Sequence, residues 1–147
     1  MNMNPADERK THILVIEDNP ADVELLRMAL RHAGLDFELI VVDDGADALA
    51  LVCQQHRGTP GTALDLAIID LNLPKHGGEE ILQALRANPT LTHLPVAILT
   101  SSSSPRDRSG IHRLRVGRYI VKPPDLDDFL KIGFTVKELL SESGAEN

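Results

Sequence analysis

The chain has no tryptophan, one tyrosine and three phenylalanines among 147 residues. So few aromatic faces argue against a base-stacking platform for single-stranded nucleic acid. Cysteine is nearly absent too. A single thiol, Cys53, excludes a disulfide framework and a cysteine metal site. It falls in an apolar helical pattern and is expected in the core, in keeping with a reducing cytoplasm. Positive charge is in deficit, with 15 Lys and Arg against 22 Asp and Glu, a net charge of -7. That balance disfavours nucleic-acid binding through a broad basic surface. No apolar run approaches the ~18 residues of a membrane span, and the start, MNMNPADERK, lacks the hydrophobic core of a signal peptide. A cytoplasmic protein of one domain, without membrane contact, is expected.

What the chain does have is a greasy segment ending in a charge. In LDLAIIDLNLP, residues 64–74, Leu64 to Ile69 are apolar except at Asp65, and Asp70 follows. A buried carboxylate costs several kcal/mol unless it is paired or binds a metal. Asp70 is therefore either a tolerated strand end or the centre of a site.

The rest of the sequence alternates between two periods. His12 to Ile16 reads as a buried strand. Asn19 is a helix cap, Pro20 the first helical residue, and Asp22 a carboxylate near the positive end of the helix dipole. Val23, Leu26, Ala29 and Leu30 then share a face, and Gly34 closes the helix. Phe37 to Val42 is the second strand, and Asp44 caps a second helix carrying Ala48, Leu49, Val52 and Cys53 on one side. Leu64 to Ile69 is the third strand. Gly77 and Gly78 precede a helix with Ile81, Leu82 and Leu85, ended by Asn88-Pro89. Val96 to Leu99 and Tyr119 to Val121 are the last strands. Between them Pro105 to Arg115 is a weaker fourth helix, bearing Gly110. Asp125 caps a strong fifth helix over Leu126 to Leu140. Residues 1–10 and 141–147 are expected to be flexible tails around a domain of residues 11–140.

Five strands alternating with five helices imply a doubly wound parallel sheet, flavodoxin-like with strand order 2-1-3-4-5. Ligands bind such sheets beyond the carboxyl ends of the strands. Those ends carry Glu17-Asp18, Asp43-Asp44, Asp70, Thr100-Ser101 and Lys122-Pro123. In that order the first strand adjoins the third, so Glu17 and Asp18 reach the same ion as Asp70. The second strand is an edge, so Asp43 and Asp44 read as capping residues. Clustered carboxylates suit a hard divalent ion such as Mg²⁺. A lysine is suited to pair with a phosphoryl group, and a carboxylate there can be a nucleophile.

These pieces, ILVIEDNPAD, AIIDLNLP with Gly78 eight residues after Asp70, AILTSS and YIVKP, resemble receiver domains of two-component response regulators from Thr11 to Leu140. The resemblance implies a signalling protein rather than an enzyme. Asp70 would accept a phosphoryl group from a sensor histidine kinase. Glu17, Asp18, Asp70 and the backbone carbonyl of Asn72 would hold Mg²⁺. Thr100 and Lys122 would contact the phosphoryl group, and Tyr119 would be the switch aromatic. A cis Lys122–Pro123 bond is expected. The last helix, LNLP and the loop GTPGTAL are similar to stand-alone regulators of phytochrome-type sensor kinases. Output would then come through protein contact. Two departures stand out: His76-Gly77-Gly78 where many receivers have Met-Asp-Gly, and Val116 where many have alanine three residues before the switch aromatic. His76, His93 and His112 read as surface residues.

The competing reading is a Mg²⁺-dependent phosphohydrolase that forms an aspartyl phosphate. Haloacid-dehalogenase-type enzymes, which use that chemistry, need a second acid two residues after the nucleophile to act on the leaving group, and that position is Asn72. A nucleotide-binding module lacks its glycine-rich loop after the first strand. On the last helix, Leu126, Phe129, Ile132, Val136 and Leu140 are expected to face the core. Leu130 and Phe134 fall outside that stripe. They are expected in a homodimer interface with the fourth helix and fifth strand.

Overall fold

Strands apolar at consecutive positions need cover on both faces, because successive side chains point to opposite sides. The computed structural model describes residues 10–54, 63–73, 77–101, 109, 111 and 113–144. Its strands are β1 (Thr11–Ile16), β2 (Phe37–Val42), β3 (Leu66–Ile69), β4 (Val96–Thr100) and β5 (Arg118–Val121). They form one parallel sheet in the order β2-β1-β3-β4-β5. Leu14, Ile16, Ala67, Ile69, Val96 and Ile98 point to one side. There they meet Ala48 and Val52 of α2 (Gly45–Gln54) and Ile81, Leu82 and Leu85 of α3 (Gly78–Ala87). Ile13, Val15, Leu66, Ile68, Ala97 and Leu99 point to the other. They are covered by Leu26 and Leu30 of α1 (Pro20–His32) and by Phe129, Ile132, Val136 and Leu139 of α4 (Leu126–Leu130 and Ile132–Gly144).

Four helices are described where five were expected. The weak helix over Pro105–Arg115 lies largely outside the described residues, although Ser109 and Ile111 are helical. α4 runs in two segments, Leu126–Leu130 and Ile132–Gly144, broken at Lys131. At the break the bonding tightens to three-residue steps, Lys131 N–H to the Asp128 carbonyl and Phe134 N–H to the Lys131 carbonyl. Leu126, expected in the core, is 47% exposed at the start of the helix, to one side of the buried stripe of Phe129, Ile132, Val136 and Leu139, and Leu140 is only partly buried against it. The helix also continues to Gly144, into the segment expected to be a frayed tail.

The break lies beside an intimate contact. A Cβ on Gly133 would stand 1.9 Å from the carbonyl oxygen of Ala29 and 3.1 Å from the Cβ of Ala33. Only a residue without a side chain lets α4 approach α1 this closely. On the other side of the sheet Arg86, in the last turn of α3, fastens three segments. Its guanidinium donates to the carbonyls of Leu114, Thr92, Leu94 and Arg115 at 2.8–3.0 Å. Cys53 is exposed, contrary to the apolar pattern around it, because α2 presents Ala48 and Val52 inward and turns position 53 outward.

Candidate functional site

The register delivers the charged residues to one edge. Ile16 pairs with Ile69, so Glu17 and Asp70 leave neighbouring strands side by side. Their amides extend the ladder: Asp70 N–H donates to the Ile16 carbonyl and Glu17 N–H to that of Val42, each at 3.0 Å. Thr100 pairs with Val121, and Lys122 N–H donates to the Thr100 carbonyl at 2.7 Å. Glu17, Asp70 and Thr100 are each no more than 5% exposed.

Lys122 bridges three carboxylates. Its Nζ lies 2.7 Å from Glu17 Oε1, 2.7 Å from Asp22 Oδ2 and 3.1 Å from Asp70 Oδ2. The second oxygens of Asp70 and Glu17 are also used. Asp70 Oδ1 accepts the Asn72 N–H at 3.0 Å, and Glu17 Oε2 accepts the Asn19 N–H at 3.1 Å. The Asn72 side-chain amide donates to Thr100 Oγ1 at 3.3 Å. Each buried charge thus has the partners that burial demands.

Burial and the shared hydrogen bonds act differently on the groups of this cluster. Burial pushes the Glu17 carboxyl up from 4.5 to about 7, outweighing the help of Lys122 and the Asn19 N–H, with the Asp70 charge adding to the rise. Burial also acts on Asp70. There the Asn72 N–H, the Lys122 ammonium and the Thr100 hydroxyl together win, and hold it below the usual carboxylate value. Burial opposes the charge on Lys122, but hydrogen bonds to Asp22, Glu17 and Asp70 raise its pKa above that of an ordinary lysine. The site therefore keeps an ionised Asp70 beside a charged lysine.

Carboxylate oxygens of Glu17, Asp18 and Asp70 all lie within 4.8 Å of one another. The set consists of hard oxygen donors, and Asp18 is exposed at its open side. That composition suits a small divalent cation keeping part of its water shell. The ion's charge would also offset the repulsion from Asp70 that adds to the rise at Glu17.

The structure brings together Glu17, Asp18, Asp70, Thr100 and Lys122, as the strand-end reading requires. Asn72 covers the site through its N–H and amide. Tyr119 stands on β5, half-buried, and packs with Val116 against the core. Asp44 caps α2 through the N–H groups of Ala46 and Asp47, and neither it nor Asp43 joins the acidic cluster among the described residues. His93 is exposed, while His76 and His112 lie outside the described residues.

Two corrections and one omission concern the site and its flank. No peptide bond among the described residues is cis, so Lys122–Pro123 is trans. Trans is the favoured form of an X–Pro bond by about 0.5–1 kcal/mol, and here it already delivers Nζ to the carboxylates. Phe134 is 50% exposed as expected and meets the ring of His32 edge-on at 5.6 Å, but Leu130 is partly buried. The omission is Asp22. Sequence reading assigned it to the helix dipole alone. The available signal was its place in the first turn of the helix whose capping loop carries Glu17 and Asp18.

Comparison with known proteins gives a consistent answer. Residues 13–132 match the family model of the response regulator receiver domain. The chain is 37% identical over 120 residues to the response regulator Rcp1 of Synechocystis sp., covering 82% of each chain. Among solved structures, it is similar to the phosphorylated cyanobacterial phytochrome response regulator RcpA. That match has a TM-score of 0.79 and 32% identity, and covers 90% of this chain and 94% of that one. It is also similar to the Mn(2+)-bound form of Rcp1, with a TM-score of 0.76, 35% identity and coverage of 86% and 91%. Sequence, topology and site agree, and the chain belongs to the response regulator receiver domain family of two-component signalling.

Proposed function

We propose that the protein accepts a phosphoryl group on Asp70 from a sensor histidine kinase and signals the change by protein contact. The observation that carries this reading is the state of Asp70: buried, ionised, and within 3.1 Å of a charged lysine. Such a carboxylate is a poised nucleophile, because its charge is held by hydrogen bonds rather than lost to a proton. Mg²⁺ is the ion that best fits Glu17, Asp18, Asp70 and the Asn72 carbonyl, and when bound it would supply charge neutralisation on the transferring group. The chain's own contribution is positional. Lys122 and Thr100 flank the acceptor from neighbouring strands. Lys122 ties any change at Asp70 to the end of β5, the strand that carries Tyr119 as switch aromatic. The receiver unit spans residues 11–140, with α4 running beyond it.

The names of the similar proteins favour a phytochrome-type kinase as donor. Homodimerisation is part of the proposal. Phe134, half-exposed on α4 against His32 of α1, supports an association surface with Leu130 at its margin. The test of acceptor chemistry is intact-mass analysis after incubation with acetyl phosphate and Mg²⁺. One added phosphoryl group is expected. It should be absent from Asp70→Asn and present in Asp43→Asn. Undiminished labelling of Asp70→Asn overturns the assignment.

A further inference from the structure

Asp22 belongs to no role so far described. It stands at the third position of α1, after the Asn19 cap and Pro20, and the cap fixes where it points. Its Oδ2 lies 2.7 Å from Lys122 Nζ, as close as Glu17 and closer than Asp70. Yet it is not among the carboxylates that converge within 4.8 Å for a cation. Asp22 therefore touches the lysine without belonging to the candidate metal cluster.

That division creates a competition. Lys122 holds Glu17 Oε1 and Asp70 Oδ2, which belong to the same carboxylates a metal must recruit. Two cations cannot both take these oxygens at full strength. A divalent ion entering the cluster must loosen Lys122 from them. An ammonium with no other acceptor would then lose two buried partners at once, a heavy penalty for a charge 13% exposed. Asp22 removes that penalty, because it is an acceptor the metal does not claim.

We propose that Asp22 is a positioning residue for Lys122, the anchor that keeps its ammonium in the site when metal takes up Glu17 and Asp70. This rests on the reading of Glu17, Asp18 and Asp70 as the metal site. Asp22 makes metal entry an exchange of partners rather than a loss of them. It also holds the lysine within reach of the Asp70 oxygens. An Asn side chain at position 22 retains the size and one acceptor oxygen but loses the charge. A Glu would restore the charge at the cost of reach.

The test is a double-mutant cycle on Mg²⁺ affinity, measured by calorimetry on the full chain at pH 8, where Glu17 is largely ionised. The native protein must first bind Mg²⁺; failure there sinks the metal-site reading and not the role of Asp22 in particular. Given binding, Asp22→Asn should weaken Mg²⁺ affinity about fivefold or more with Lys122 present, and about twofold or less in a Lys122→Met background. Asp22→Glu should recover part of the loss. Lys122→Gln provides a second background should Lys122→Met fold poorly, as judged by circular dichroism. An equal loss in all backgrounds would mean that Asp22 acts only through its distant field. No loss in the native background would mean that Lys122 needs no anchor. Either result overturns the proposal.

Discussion

Replacing Gly133 with alanine sets two effects of opposite sign against each other. In a free helix interior the change stabilises by up to about 1 kcal/mol, through backbone entropy. Here the new Cβ would lie 1.9 Å from the Ala29 oxygen, 2.6 Å from the Ala29 carbonyl carbon and 3.1 Å from the Ala33 Cβ. A carbon–oxygen contact needs roughly 3.3 Å, so the helices must part by about 1.4 Å at this point. The obstacle is backbone, and no rotamer change removes it. Opening the seam loosens Ile132 and Val136 from Leu26 and Leu30, and strain of this kind costs typically 1–3 kcal/mol, occasionally more. We expect a net loss of about 2 kcal/mol, and a Tm lower by about 4–8 °C for a chain of this size. Urea denaturation followed by circular dichroism measures it. Two controls calibrate the result. Gly117→Ala meets the Leu139 Cδ1 at 2.6 Å and the Val96 carbonyl oxygen at 3.3 Å, and should cost less, since the close contact is the end of a side chain rather than backbone. Gly34→Ala meets nothing within 4 Å and suffers only the strain of φ +81°. A Gly133→Ala protein as stable as the parent would refute the close α1–α4 seam.

The Glu17 carboxyl should govern metal binding near neutrality. Its folded pKa is raised, so its contribution to stability is present below about 4.5 and is lost as pH rises through about 7 in metal-free protein. Mg²⁺ requires the ionised form, so calorimetry should find apparent affinity about tenfold weaker at pH 6 than at pH 8; equal affinities would contradict a raised pKa. Arg86→Met keeps the stem but strips donors from four carbonyls, and should cost about 2–4 kcal/mol in urea denaturation; a change under about 0.5 kcal/mol would show that water replaces the guanidinium. Phe134→Glu should leave Asp70 labelling intact and reduce self-association by light scattering. A native protein monomeric at high concentration, with and without a phosphoryl mimic, would exclude the dimer.

Much of the sheet was legible because its signal is local. Runs such as Leu66 to Ile69 are apolar at every position, and an acid or lysine follows immediately, so strands and site residues could be read together. The strand order then told Asp70's neighbours, Glu17 and Asp18, from Asp43 and Asp44. What escaped the sequence depends on distance between elements. The bond of Asp22 to Lys122 joins residues 100 apart, and its local context explains it equally well as a helix-dipole residue. Likewise the periodicity of α4 placed Leu126 in the core and passed over Leu139, because the centre of the buried stripe is decided by how α4 seats on α1, with Gly133 against Ala29, a contact between helices. The isomer of Lys122–Pro123 has no local signature at all, since both forms satisfy the sequence.

The chain just after Asp70 has one more consequence. Gly78 N–H donates to the Leu71 carbonyl at 3.2 Å, and a Cβ on Gly78 would fall 2.5 Å from the carbonyl oxygen of Asp70. Leu71 and Gly78 are thus clamped together, with the first turn of α3 resting on the acceptor's own backbone. Position 78 therefore tolerates no side chain. A side chain there would act as a wedge between helix and strand, lifting the acceptor out of line with Lys122.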